Sequence, residues 1–203
     1  ASKTTLCIRK RLKKALRYPG IHILMARWTE DATHGILKPV WRTMCQKAGV
    51  KLVWNGEEQY DQLNNGSRVY IRGLKSQDQT NRYGKFRGLT LADVYVDQAE
   101  EMAEKVFDVL DARLGRWSGA IVPPELLKQY EEMNGIPWPT NPLTDKPVVP
   151  SYHVLLTNPE DEFHFIYRKF HPDSPERDKS AFFIESEWVA LLGSQESYNK
   201  ALE

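Results

Sequence analysis

Two short segments carry residues whose types and spacing could build one nucleotide site. Asp97 ends the apolar run Val94-Tyr95-Val96, and Gln98, Glu100 and Glu101 follow at once. A strand-end aspartate is how nucleoside triphosphatases present the carboxylate that holds magnesium. The chain opens on Ala1-Ser2-Lys3-Thr4-Thr5. A phosphate-binding loop runs G-x-x-x-x-G-K-[ST], in which the lysine reaches the β- and γ-phosphates and the hydroxyl ligates Mg²⁺. Lys3 and Thr4 fit its last positions, with Ser2 in place of the final glycine. Backbone N–H groups at the start of the following helix, from Thr5 on, would help hold the phosphates. Each half alone is weak, and a lysine-bearing terminus needs no function. Together they are informative.

Most of such a loop, and the strand that should precede it, would lie upstream of residue 1. The chain therefore reads as a fragment that begins inside the loop.

The elements that must position these residues follow from pattern. The first seventeen residues carry Lys3, Arg9, Lys10, Arg11, Lys13, Lys14 and Arg17 and no acid, with Leu6, Ile8, Leu12, Ala15 and Leu16 among them. That spacing predicts a helix with one buried stripe and a basic outer face, ending at Pro19-Gly20. The basic face is either a contact to DNA or an acidic neighbour, or a solvated surface. Strands are predicted at 21–26, 51–54, 68–72, 91–96, 152–157 and 181–185. Helices are predicted at 33–48 and 99–114, and Asn64-Asn65-Gly66 reads as a tight turn before the strand at 68–72. Residues 76–84 read as a polar loop, and 122–150 as a short helix and an irregular connection. Strands alternating with helices imply a mostly parallel sheet with helices on both faces. Ligands sit beyond the carboxyl ends of strands in such sheets, where Arg27, Asp97 and Thr157-Asn158 fall.

Composition sets bounds. A chain of 203 residues with 41% apolar residues and six tryptophans can bury one sizeable core. Its net charge of +1 says little about partners. No apolar run approaches the ~18 residues of a membrane helix, and no signal peptide is evident. Cys7 and Cys45 lack metal-ligand spacing and read as free, buried thiols in a reducing compartment. The histidines lack the spacing of a zinc site. His164, between Phe163 and Phe165, reads as a packing residue, and the tryptophans as core contacts.

An ordered set of local patterns resembles the ATPase domain of the large terminase subunit of tailed bacteriophages. Ser2-Lys3-Thr4 looks like the end of its phosphate loop. Ile23-Leu24-Met25-Ala26-Arg27 followed by Thr29 is similar to its second strand. Lys85-Phe86-Arg87-Gly88 leading into Asp93-Val94-Tyr95-Val96-Asp97 looks like the approach to its Walker B strand. Leu110-Asp111-Ala112-Arg113-Leu114 resembles its helix end. Thr157-Asn158-Pro159, then His164 to Phe170, resemble its coupling motif and the aromatic segment beyond.

The resemblance implies a P-loop NTPase of the RecA/ASCE-like kind, with ATP and Mg²⁺ as cofactors. Ser2, Lys3, Thr4, Thr5 and Arg27 would contact the nucleotide, and Thr4 and Asp97 would hold the metal. Thr157 and Asn158 would sense the γ-phosphate; the plainer reading is a strand-end cap. Arg87 matches an arginine that some members insert into a neighbour's site; a structural brace is the equal alternative. The family's water-orienting glutamate is replaced by Gln98, which can orient water but not take its proton. Either Gln98 serves, or Glu100 or Glu101 substitutes, or hydrolysis is slow.

Implied partners are double-stranded DNA, sister subunits in a homo-oligomeric ring, the portal protein and the small terminase subunit. No membrane partner is implied. The implied location is the host cytoplasm, transiently at the procapsid portal. Residues 1–172 would form the core and 173–203 the start of a lid or linker, and nothing suggests the family's nuclease domain. Other readings are a RecA-like helicase or translocase, or a non-catalytic remnant.

Overall fold

The strand that ends at Asp97 lies inside a six-stranded sheet. In the computed structural model, which describes residues 3–75, 84–86, 88–114, 122–157 and 163–178, the strands are β1 (His22–Arg27), β2 (Leu52–Asn55), β3 (Tyr60–Leu63), β4 (Arg68–Gly73), β5 (Asp93–Asp97) and β6 (Tyr152–Leu156). Their order is β2-β3-β4-β1-β5-β6. β4, β1, β5 and β6 run parallel, and β2 and β3 add an antiparallel edge. The helices are α1 (Lys3–Arg17), α2 (Glu30–Ala32), α3 (Lys38–Lys47), α4 (Glu104–Asp111), α5 (Pro124–Asn134) and α6 (Phe165–Phe170). This is the mixed, mostly parallel α/β architecture that the alternation of patterns predicts. The predicted strand at 181–185 lies outside the described residues.

Alternation along each strand divides the apolar residues between two faces. Ile23 and Met25 of β1, Val69 and Ile71 of β4 and Tyr95 of β5 pack on Ile8, Leu12 and Ala15 of α1 and on Leu37, Trp41 and Cys45. Leu24, Ala26, Val94 and Val96 are fully buried on the opposite face. His153 of β6 is in register with Val94 there, and its ring stacks on Phe107 of α4 with centroids 4.5 Å apart. Helices thus cover both faces. Burial on two sides explains why β5 is apolar at every position except its inward-facing acids.

The helix predicted at 33–48 starts earlier and is not uniform. Thr29 caps α2, its side-chain oxygen accepting from the Ala32 N–H at 3.3 Å. A π-helical turn, Thr33–Leu37, follows and runs into α3. Pro39 cannot donate to the ladder, and the chain widens just before it. The helix predicted at 99–114 is instead a 3-10 turn, Ala99–Glu101, and then α4, which ends at Asp111.

Gly20 is required by its left-handed backbone and Gly73 by close approach of another backbone. Gly20, at φ +73°, brings the turn after α1 against Leu126, where a Cβ would sit 2.4 Å from a side-chain carbon. A Cβ at Gly73 would sit 2.4 Å from the Glu30 backbone nitrogen. Gly73 lies beside Arg27 in the sheet, so its bareness lets the start of α2 close over the ends of β1 and β4.

The chain forms two units, Ala1–Asn158 and Pro159–Glu203. The described part of the second is α6 and its flanks. His164 caps this helix, its Nδ1 accepting from the Ile166 N–H at 3.3 Å, a role beyond the packing predicted for it. Among the described residues, no helix is long and apolar enough to cross a membrane.

Candidate nucleotide site

Period-two alternation turns Asp93, Tyr95 and Asp97 to the same face of β5. That face meets α1, where Thr4, Arg11 and Lys14 share one side of the helix. Two carboxylates inside a parallel sheet must find partners there, because an unpaired buried charge is costly.

Asp97 finds three. The Thr4 hydroxyl donates to its Oδ1 at 3.0 Å, and the Tyr95 hydroxyl donates to the same oxygen at 2.8 Å. Arg27 Nε lies 3.2 Å from its Oδ2, and both side chains of this ion pair are buried. Burial raises the Tyr95 pKa, with smaller contributions from Cys7 and Asp97, so the phenol stays a donor. Residues from the start of α1 and from the ends of β1 and β5 therefore converge on one carboxylate.

Arg27 is itself braced. Thr33 Oγ1 accepts from the Arg27 N–H at 3.2 Å and donates to the Thr29 carbonyl at 2.7 Å. The Arg27 carbonyl accepts from the Leu74 N–H at 2.8 Å. Glu30 accepts from the Gly73 N–H at 2.7 Å.

Asp93 anchors the other end of the strand to α1. Its oxygens accept from Arg11 Nη2 at 3.1 Å and Lys14 Nζ at 3.0 Å. Lys14 also donates to the carbonyls of Ala92, at 3.0 Å, and Pro150. Burial lowers the Lys14 pKa, opposed by the charge of Asp93 and its hydrogen bond. The predicted basic outer face of α1 is corrected here: Arg11 and Lys14 turn inward, because the buried Asp93 requires them. The signal was present, since Asp93 and Asp97 share parity along β5.

The remaining predicted residues are distributed around Asp97. Lys3 is exposed at the first position of α1, and Thr5 is half-buried beside Thr4. Gln98 is exposed and left-handed, with φ 53° and ψ 55°. A long L side chain rarely adopts this conformation without functional or structural compulsion. Glu100 is half-buried and Glu101 exposed in the 3-10 turn. Thr157 directly follows Leu156, the register partner of Asp97, and its buried Oγ1 has no hydrogen-bond partner. Ser2, Arg87 and Asn158 lie outside the described residues.

The donor set suits a hard divalent cation, which prefers oxygen and makes do with one or two carboxylates when phosphates complete its shell. Thr4 Oγ1 and Asp97 Oδ1 are adjacent oxygens, and the orphaned Thr157 hydroxyl offers another polar group at the same sheet end. Among the described residues, no group of three or more His, Cys, Asp or Glu side chains could hold a metal without such help.

Structural comparison finds the large terminase of a thermophilic bacteriophage. One crystal form superposes with a TM-score of 0.58 and 16% identity, covering 82% of this chain and 34% of that protein. A complex of the same terminase with ADP gives a TM-score of 0.56 at 16% identity, with 82% and 33% covered. This chain shares the fold of that large terminase over most of its length, and it spans about a third of that protein. No protein-family model matches the sequence, and no curated protein matches it.

Proposed function

We propose that this chain is the ATP-hydrolysing core of a viral DNA-packaging motor of the large-terminase kind. The observation that carries the proposal is the Thr4–Asp97 contact, which joins residues 93 positions apart at the carboxyl end of a buried parallel strand. The large-terminase fold supports it, and the thermophilic phage terminase is seen in complex with ADP.

In this reading Lys3 binds the β- and γ-phosphates, and Thr4 and Asp97 hold Mg²⁺. The cation supplies charge neutralisation on the phosphates. Tyr95 keeps the Asp97 carboxylate oriented from below. Arg27 balances its charge and borders the nucleotide. Thr157 and Asn158 contribute polar groups toward the γ-phosphate, and Ser2 and Thr5 support the phosphate loop. Gln98 orients a water but cannot accept its proton, so Glu100 or Glu101, in the turn that follows, takes it, or hydrolysis is slow. Arg87 stabilises developing phosphoryl charge. The intact protein would act in a ring on double-stranded DNA, with the portal and the small terminase subunit as partners in the host cytoplasm.

A non-catalytic nucleotide-binding role is the second reading, and Gln98 in place of a glutamate favours it. One comparison tests both. Mg-ATP binding and hydrolysis are measured in the full-length protein and its Lys3→Ala variant. Loss of a charge-assisted contact worth about 1.5–3 kcal/mol weakens binding by roughly 10- to 100-fold. Absence of Mg-dependent ATP binding, or equal binding by Lys3→Ala, would sink the proposal. Binding without turnover selects the second reading.

A further inference from the structure

The inward turn of Arg11 and Lys14 leaves a purer feature on the outside of α1. Between Ile8 and Arg17 every exposed residue is basic: Arg9, Lys10, Lys13 and Arg17. At 3.6 residues per turn they fall within about 100° of the helix circumference. Arg9, Lys13 and Arg17 follow one another at about 6 Å along the axis. Arg9, Lys10 and Lys13 have no carboxylate partner among the described residues. Arg17 leans on Tyr130 and Tyr18. Its pKa is raised first by the Tyr130 hydrogen bond, and no carboxylate contributes.

Like charges on adjacent helix turns repel, so this run of basic residues does not stabilise the helix through its own side-chain pairs. Two of the seven basic residues are accounted for by Asp93, and Lys3 by the proposed nucleotide contact. Arg17 leans on its two tyrosines, and the other three, Arg9, Lys10 and Lys13, are left facing outward with no carboxylate beside them among the described residues. An acidic protein surface fits poorly. Protein interfaces bury an apolar centre and are depleted in lysine there, and no exposed apolar residue lies between Ile8 and Arg17. A nucleic-acid backbone fits well, because its phosphates recur every ~3.4 Å along a strand and reward lysine and arginine by releasing counterions.

We infer that the outer face of α1 is a binding site for the phosphodiester backbone of a nucleic acid, contacted by Arg9, Lys10, Lys13 and Arg17 without regard to sequence. The site stands on α1 alone and is separate from the Asp97 cluster, so it does not depend on the nucleotide being hydrolysed or even bound.

The test is the salt dependence of binding to a labelled 20-base-pair duplex, read by fluorescence anisotropy on the full-length protein. Each phosphate neutralised contributes about −0.9 to the slope of log K against log salt. Substituting Arg9→Gln, Lys10→Gln and Lys13→Gln together should make the slope shallower by roughly 3, and Lys10→Gln with Lys13→Gln by roughly 2. A control carrying Lys47→Gln, Lys51→Gln and Lys146→Gln, exposed lysines elsewhere, should retain the parent slope to within about 1. The two stripe variants and the control are compared only after matching thermal midpoints, and the double keeps the test decisive if the triple is unstable. An unchanged slope in both stripe variants overturns the inference, as does an equal loss in the control. A stripe variant that changes the oligomer mass in sedimentation while binding DNA with the parent slope also overturns it, in favour of an acidic protein partner.

Discussion

Removing the charge of Asp97 tests the central cluster most directly. Arg27 and Asp97 form an ion pair at 3.2 Å with side chains 8% and 5% exposed. Breaking a buried pair by removing one partner costs about 3–5 kcal/mol, because the other charge is left uncompensated. In Arg27→Met the carboxylate keeps its Tyr95 and Thr4 donors, so the cost should fall near the low end, about 3 kcal/mol. Asp97→Asn leaves a buried guanidinium facing an amide, and the cost should be about 4 kcal/mol. In the double variant neither stranded charge remains. Its cost should therefore be smaller than the sum of the singles by about 2 kcal/mol or more, within the range seen for residues in contact. The assay is urea unfolding near neutral pH on the four proteins, with unchanged m-values as the condition for comparing midpoints. Additivity within about 0.5 kcal/mol would refute the reasoning, since it would mean that the two charges do not sense each other across the cluster.

Two further outcomes follow from the same geometry. Tyr95→Phe removes a fully buried hydroxyl that donates to Asp97 at 2.8 Å; urea unfolding should show a loss of about 1.5–3 kcal/mol, the worth of a hydrogen bond to a charged group, and a loss below about 0.5 kcal/mol would remove Tyr95 from the cluster. His22 begins β1 beside Tyr70, and burial, then the charge of Arg68, lower its pKa from 6.5 to about 4. The folded state therefore binds fewer protons than the unfolded state between those values, so this contribution to stability is full above about 6.5 and is lost as pH falls toward 4. The loss amounts to roughly 3 kcal/mol at about 1.4 kcal/mol per unit. His22→Phe should flatten the pH dependence of the urea midpoint across that window, and parallel curves for the two proteins would show that another group is responsible.

Much of this protein was legible in its residues. The run Val94-Tyr95-Val96-Asp97 announces a buried strand that ends in an acid, because a parallel strand covered on both faces must be apolar almost throughout. Asn64-Asn65-Gly66 marks the turn between β3 and β4, whose antiparallel pairing is observed. The amphipathic spacing of α1 predicts a helix with a buried stripe. The edges were less legible. Glu100 and Glu101 carry acidic helix-start character, yet they form a 3-10 turn separated from α4 by Met102 and Ala103. The left-handed Gln98 precedes this turn, and Met102 and Ala103 are extended between it and α4.

Periodicity and residue chemistry were enough to establish that a lysine and a threonine open a helix, that a strand delivers Asp97, and that the surrounding elements alternate as in a parallel sheet. Each of these is a local property, carried by a few neighbouring residues. Which groups meet was settled in three dimensions. Folding brought Thr4 and Arg27 onto opposite oxygens of Asp97, placed Tyr95 beneath them, and drew Arg11 and Lys14 inward to Asp93. That selection is not local, because it depends on the register of β5 against α1 and on the cost of a buried carboxylate without partners. The same cost sorted the seven basic residues of α1 into those that the fold consumes and those that it leaves facing outward.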